Sequence, residues 1–119
     1  MKRGVTGRLG EDVAAIHLAR TGHRIVERNF RCSHGEIDLV AEEAGELAFV
    51  EVRTRSSTAF GSPEESITRE KSQRMTRCAL AYLAARQVKD RRWRIDLIAV
   101  QLERGRVTRL EHYRHAIGD

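Results

Sequence analysis

Two stretches of the chain alternate apolar and charged residues around a short polar break, and this pattern limits the fold more than any other feature. Gly35 to Glu42 and Leu47 to Arg55 interleave β-branched and apolar residues with charges, and Glu43-Ala44-Gly45-Glu46 between them supplies a turn. The pattern predicts a β-hairpin. With the turn centred on Ala44-Gly45, antiparallel register sets Asp38 opposite Glu51 and Glu36 opposite Arg53. Side chains alternate along a strand, so Leu47, Phe49, Glu51 and Arg53 share one face, and Ala48, Val50, Val52 and Thr54 the other.

The remaining segments supply layers to cover such a hairpin. Gly7 to Thr21 places Leu9, Val13, Ile16 and Ala19 at helical spacing, with Gly22 as a left-handed stop. His23 to Phe30 reads as a short strand, and Arg31 to His34 as a polar turn. After a Ser56 to Gly61 loop, Ser62-Pro63-Glu64-Glu65 has the form of a capping box that opens a long helix. Ile67, Met75, Cys78, Ala79, Tyr82 and Leu83 lie near one stripe of that helix, and Lys71 falls on the same stripe. Trp93 to Leu102 is a strong strand, followed through Glu103-Arg104-Gly105-Arg106 by a weaker one over Val107 to Tyr113. The expected order is αβββαβ with a weak final strand: α/β layers in one domain over residues 1–119, the long helix crossing over to set the fourth strand parallel to the third.

Like charges opposed across two strands are destabilising, and burial makes the conflict worse, so Asp38 facing Glu51 among apolar neighbours is not an arrangement made for stability. A divalent cation resolves it. Two carboxylates with a backbone carbonyl, here that of Val52, and waters suit Mg²⁺ or Mn²⁺, which take oxygen ligands in octahedral geometry. Such a metal polarises a phosphoryl oxygen and acidifies a bound water, while Arg53 and Lys71 offset charge building on the phosphate. These are the parts of a phosphodiester hydrolase. The plainer alternative is that the acids mark the wet side of an edge strand and that Lys71 snorkels from its helix. A binding module lacking turnover is the competing functional class.

Charge agrees with a polyanionic partner: 22 Lys plus Arg against 17 Asp plus Glu give +5 and a sequence pI near 9.9. Spread evenly, the same charge is only a solvated shell. Neither a phosphate-binding Gly-rich loop nor a zinc spacing occurs. Cys32 and Cys78, far apart in sequence, read as ordinary thiols. With no apolar run of membrane-spanning length and a charged start, a cytoplasmic protein with no membrane partner is expected.

Taken in order, Gly7-x-x-Gly10-Glu11, Asn29, Gly35-Glu36-Ile37-Asp38-Leu39, Phe49-Val50-Glu51-Val52-Arg53-Thr54-Arg55, Lys71 and Arg94-Ile95-Asp96 resemble the YraN-like family of uncharacterised bacterial proteins. That family looks like a distant branch of the restriction-endonuclease-like, PD-(D/E)xK superfamily, related to archaeal Holliday-junction resolvases. The resemblance implies a mixed β-sheet flanked by helices, Asp38 and Glu51 as metal ligands, and Glu11 approaching the site from the first helix. It also implies DNA as substrate, branched DNA among the candidates, and, by analogy with the resolvases, a homodimer. The chain departs from the superfamily pattern where Glu-x-Lys reads Glu51-Val52-Arg53, and the change matters because a guanidinium stays protonated and cannot act as a proton acceptor.

Overall fold

The computed structural model describes residues 5–56 and 67–117. In chain order the elements are α1 (Val5–Arg20), β1 (Arg24–Cys32), β2 (Gly35–Glu43), β3 (Glu46–Arg55), α2 (Arg69–Ala85), β4 (Trp93–Glu103) and β5 (Arg106–Ile117). The strands form one mixed sheet, β1-β2-β3-β4-β5, in which only β3 and β4 run parallel. The expected α/β class, the hairpin and the parallel crossover all stand. The order is αβββαββ, because the last segment is a full strand of 12 residues. It runs past Tyr113 since Ile117 still pairs with Ile95, and the His115 backbone N–H donates to Asp96 Oδ1 at 3.1 Å. Among the described residues no helix is long and apolar enough to cross a membrane.

Ala44 (φ 49°) and Gly45 (φ 81°) both occupy the left-handed region, the two-residue turn whose twist matches that of the strands it joins. The hairpin register follows as expected, from Glu43 opposite Glu46 to Leu39 opposite Val50. One face carries Val40, Leu47, Phe49 and Ile95 against Met75, Cys78, Ala79 and Tyr82 of α2. The other carries Leu39, Ala48, Val50 and Ile98 against Ala14 and Leu18 of α1. Phe49 meets the Tyr82 and Trp93 rings edge-on at 5.4 and 5.7 Å, and full burial of such a side chain stabilises by about 1.5–3 kcal/mol. Because β4 lies between two strands and under both layers, it is buried almost end to end, which accounts for its central run Leu97-Ile98-Ala99-Val100.

Three expectations need correction. The buried stripe of α1 is Gly10, Ala14 and Leu18, while Ile16 is 53% exposed and Ala19 is also exposed. The cause is a close approach: a β-carbon at Gly10 would collide with Thr54 Oγ1 and lie 3.1 Å from Thr54 Cβ, so α1 turns its glycine toward β3. β1 continues through Arg31 and Cys32, paired with Glu36 and Gly35, where a turn was expected. The Ser62 capping box lies outside the described residues; α2 begins at Arg69, with Thr68 in extended conformation as N-cap, its hydroxyl accepting from Lys71 N at 3.1 Å. Ile67 therefore precedes the helix and cannot share a stripe with Lys71.

Arg94 and Asp96 occupy the α1-side face of β4 and anchor a polar clasp. Asp96 is fully buried and accepts from Arg94 Nε at 3.0 Å, while His112 Nε2 lies 2.8 Å away. Burial alone would raise its pKa, but the His112 and His115 hydrogen bonds and the Arg94 charge hold it below the usual range. Arg94 also reaches Glu43, Glu46 and His23. His17 of α1 touches His112 at 3.2 Å, so the clasp fastens the first helix to the last two strands.

Candidate active site

Apart from a bulge between Ile25 and Glu27 of β1, pairing on the two sides of β2 is interrupted at one shared level. The β1–β2 register passes from Arg28 opposite Leu39 to Phe30 opposite Ile37, skipping Asn29 and Asp38. The β2–β3 register ends at Leu39 opposite Val50, one position short of the expected Asp38 and Glu51 pair. Asn29 takes a left-handed conformation (φ 55°), and the faces exchange across the break: Leu39 packs on the α1 side, whereas Ile37 and Phe30 pack on the α2 side. A strict period of two cannot do this. The Asp38 carboxylate therefore turns toward β3, where Oδ2 accepts the Val52 backbone N–H at 2.8 Å in place of a ladder carbonyl.

Around this level opens a cavity of about 970 Å³. Glu11, Asp38, Glu51, Val52, Arg53 and Lys71 all line it, so every residue proposed from sequence for the site is brought to one place. Glu11 comes from α1 and is buried, accepting from Asn29 Nδ2 at 3.1 Å. Asp38 is buried; Glu51 is half-buried with Oε2 3.3 Å from Arg53 Nε. That contact is one of charge, since its geometry leaves the buried Arg53 Nε–H without a hydrogen-bond acceptor. Lys71 enters from the first turn of α2. Burial first, and then the Arg53 charge, hold its pKa below the ordinary lysine value despite the opposing pull of Glu51.

The donor set suits a hard cation: two carboxylates and a main-chain carbonyl, all oxygen. Among the described residues no group of three or more His, Cys, Asp and Glu side chains is arranged to hold a metal. Two carboxylates with waters is the set that Mg²⁺ commonly takes, and the Val52 N–H fixes the orientation of one of them.

Two further residues support this site and were given no role in it from sequence: Glu36, which lines the cavity, and Asn29, which hydrogen-bonds two of its carboxylates. The Asn29 amide bridges Glu11 Oε1 and Glu36 Oε2, each at 3.1 Å, holding two carboxylates that would otherwise repel. Glu36 lies opposite Arg31 of β1, 3.9 Å from its Nε, where the sequence placed it opposite Arg53. An asparagine inside a strand was the available signal, since it is disfavoured there and tolerates left-handed backbone. Both cysteines are free thiols, as expected, but their meeting was not: Cys32 Sγ donates to Cys78 Sγ at 3.3 Å, and both line the cavity.

A mixed sheet between two helices, with acids and bases gathered where its ladders part, defines an α/β protein with a polar site at a strand break. The chain belongs to the uncharacterised protein family UPF0102, whose profile matches residues 10–100. It is 49% identical over 104 residues to a UPF0102 protein of Moorella thermoacetica, covering 87% of each chain. A UPF0102 protein of Beutenbergia cavernae is 48% identical over 108 residues, covering 91% of this chain and 92% of its own. One from Persephonella marina is 44% identical over 96 residues, covering 81% and 83%.

Proposed function

We propose that this protein is a metal-dependent endonuclease that hydrolyses phosphodiester bonds in DNA, branched DNA included. The observation that carries the reading is the convergence of Asp38, Glu51, Glu11 and Lys71, from four different elements, on one cavity at a break in the sheet. Asp38, Glu51 and the Val52 carbonyl would hold Mg²⁺ or Mn²⁺, which when bound would supply Lewis-acid polarisation of the phosphate and an acidified water. The chain's own groups do the rest. The Val52 N–H holds the Asp38 carboxylate in its rotamer, and the Asn29 amide keeps Glu11 at the wall. The cationic Arg53 stands beside the site as a fixed charge for a phosphate oxygen. Lys71 Nζ, with its lowered pKa, can give a proton to a leaving oxygen more readily than an ordinary lysine. A homodimer acting on the two strands of a duplex is consistent with this reading.

The 3.3 Å contact of Arg53 with Glu51 favours a second reading, in which the guanidinium occupies the carboxylate and the protein binds nucleic acid without turnover. One assay separates the two. Purified protein is incubated with linear, single-stranded and branched DNA, with and without Mg²⁺ or Mn²⁺, beside Asp38→Ala and Glu51→Ala. Metal-dependent cleavage lost in both variants supports the enzyme. Binding without cleavage by the parent supports the module, and cleavage that survives both substitutions removes the site assignment.

A further inference from the structure

Cys32 ends β1 and Cys78 lies in the middle of α2, yet their sulfurs are 3.3 Å apart. Both are free thiols. A disulfide needs sulfurs about 2.05 Å apart, so closure asks for little more than an ångström of movement. The two are unequally accessible: Cys78 is fully buried, whereas Cys32 is half-buried on the cavity wall. Backbone closes in on the pair from the third side, since a β-carbon at Gly35 would lie 3.6 Å from Cys78 Sγ and 3.2 Å from Arg74 Cδ. Nothing in the reaction proposed above uses either sulfur.

We propose that Cys32 and Cys78 form an oxidation site, in which hydrogen peroxide admitted by the cavity oxidises Cys32 and Cys78 resolves it into an intramolecular disulfide. In the first step the Cys32 thiolate attacks one peroxide oxygen, the O–O bond breaks, and the departing oxygen takes up a proton and leaves as water. Cys32 is then a sulfenic acid. In the second step Cys78 Sγ attacks Cys32 Sγ, the S–OH bond breaks, and the hydroxide takes the Cys78 proton to leave as a second water. Two thiols have given two electrons and two protons, and one peroxide has become two waters. Oxidation of Cys32 begins the sequence because it is the sulfur a solute reaches; burial first, and then the Cys32 hydrogen bond, push the Cys78 thiol up to about 12, so it serves as the resolving partner rather than the first to react. The bond would tie β1 to the helix that carries Lys71 and Arg74 into the cavity, making oxidation a covalent change in the wall of the site.

The test needs no turnover. The reduced full-length protein is exposed to hydrogen peroxide, quenched, alkylated without reductant, and read by intact mass and peptide mapping. The expected product is a monomer lighter by two hydrogens, closed to alkylation at both cysteines, yielding a Cys32–Cys78 cross-linked peptide, and opened to two alkyl groups by dithiothreitol. In Cys78→Ala, Cys32 should instead gain oxygen; in Cys32→Ser, Cys78 should stay reduced at the same dose. The second variant changes only a half-buried side chain and tests the order of attack if the first fails to fold. The proposal is overturned if Cys32 gains two or three oxygens while Cys78 remains alkylatable. It is equally overturned if the disulfides formed join two chains, or if the cross-link appears only in denaturant.

Discussion

Arg53 is the residue on which the proposed chemistry turns. Arginine offers a planar, delocalised charge, whereas lysine at the same place offers a compact ammonium able to reposition or share a proton. In Arg53→Lys, fold and charge should be kept, and Mg²⁺- or Mn²⁺-dependent cleavage should hold or rise, measured as initial rate on the best DNA substrate. Asp38→Ala should remove it. If the protein only binds, both variants should retain DNA about as well as the parent with no cleavage in any, because losing one acid from a basic surface does not weaken phosphate attraction. Lys71 bears on the same question. Its lowered pKa arises from burial and from the Arg53 charge, and an ammonium at position 53 would keep that like charge next to it, so the two cations should be varied together and not only singly.

At the scale of elements, two close fits carry testable energies. Ala44 is the first residue of the β2–β3 turn and sits in the left-handed region, where a side chain other than that of Asn or Asp costs about 1–2 kcal/mol. Ala44→Asn should recover a fraction of that, roughly 0.5–1 kcal/mol of stability by urea titration with unchanged m-value. Gly10 is the other fit. Gly10→Ala should destabilise by about 1–3 kcal/mol, since its methyl meets Thr54 Oγ1 and Cβ, and pairing it with Thr54→Ala should return part of the loss in a double-mutant cycle. The hairpin and its turn were legible in the sequence because they rest on local chemistry, a period of two and an Ala-Gly break. The residue types of the cavity were legible, but the direct opposition of Asp38 and Glu51 was not borne out, because the ladder stops at Leu39 and Val50. What was not legible depends on contacts remote in sequence. The stripe of α1 is set by Thr54, the exchange of faces at Asn29 and Asp38 needs two strands to break together, and the meeting of Cys32 with Cys78 follows only after α2 docks. The length of β5 was missed because its partners, including Asp96, lie on β4.

Across the whole molecule, pH should act first through the clasp. Burial, before the neighbouring charges, lowers the folded pKa of both His17 and His23 below 6.5, although Glu43 opposes the shift at His23. The unfolded chain then binds more protons than the folded one just below that value, so stability is whole above pH 6.5 and falls as pH drops through the folded values. Glu43, held at about 2 first by its hydrogen bond from Arg114 and helped by Arg94 and His23, adds a second loss between its ordinary value of 4.5 and about 2. Thermal melts from pH 8 to pH 3 should show Tm level at the top and declining in two stages, and His23→Gln should blunt the first. DNA affinity should fall steeply with salt as phosphate contacts release counterions; an affinity flat between low and physiological salt would speak against both the nuclease and the binding module. The parallel pairing of β3 with β4 has a consequence in time. Leu47 finds Trp93 only after the whole α2 connection has been gathered in, and loops of that length close against entropy before any contact rewards them. The β2–β3 hairpin, closed by a two-residue turn and paired from Glu43 and Glu46 to Leu39 and Val50, can form early in a chain that still lacks the Lys71 helix and the clasp. A refolding chain should therefore show the β3–β4 pairing, and not the hairpin, as its slow step, read as Trp93 fluorescence that develops after the first strand signal.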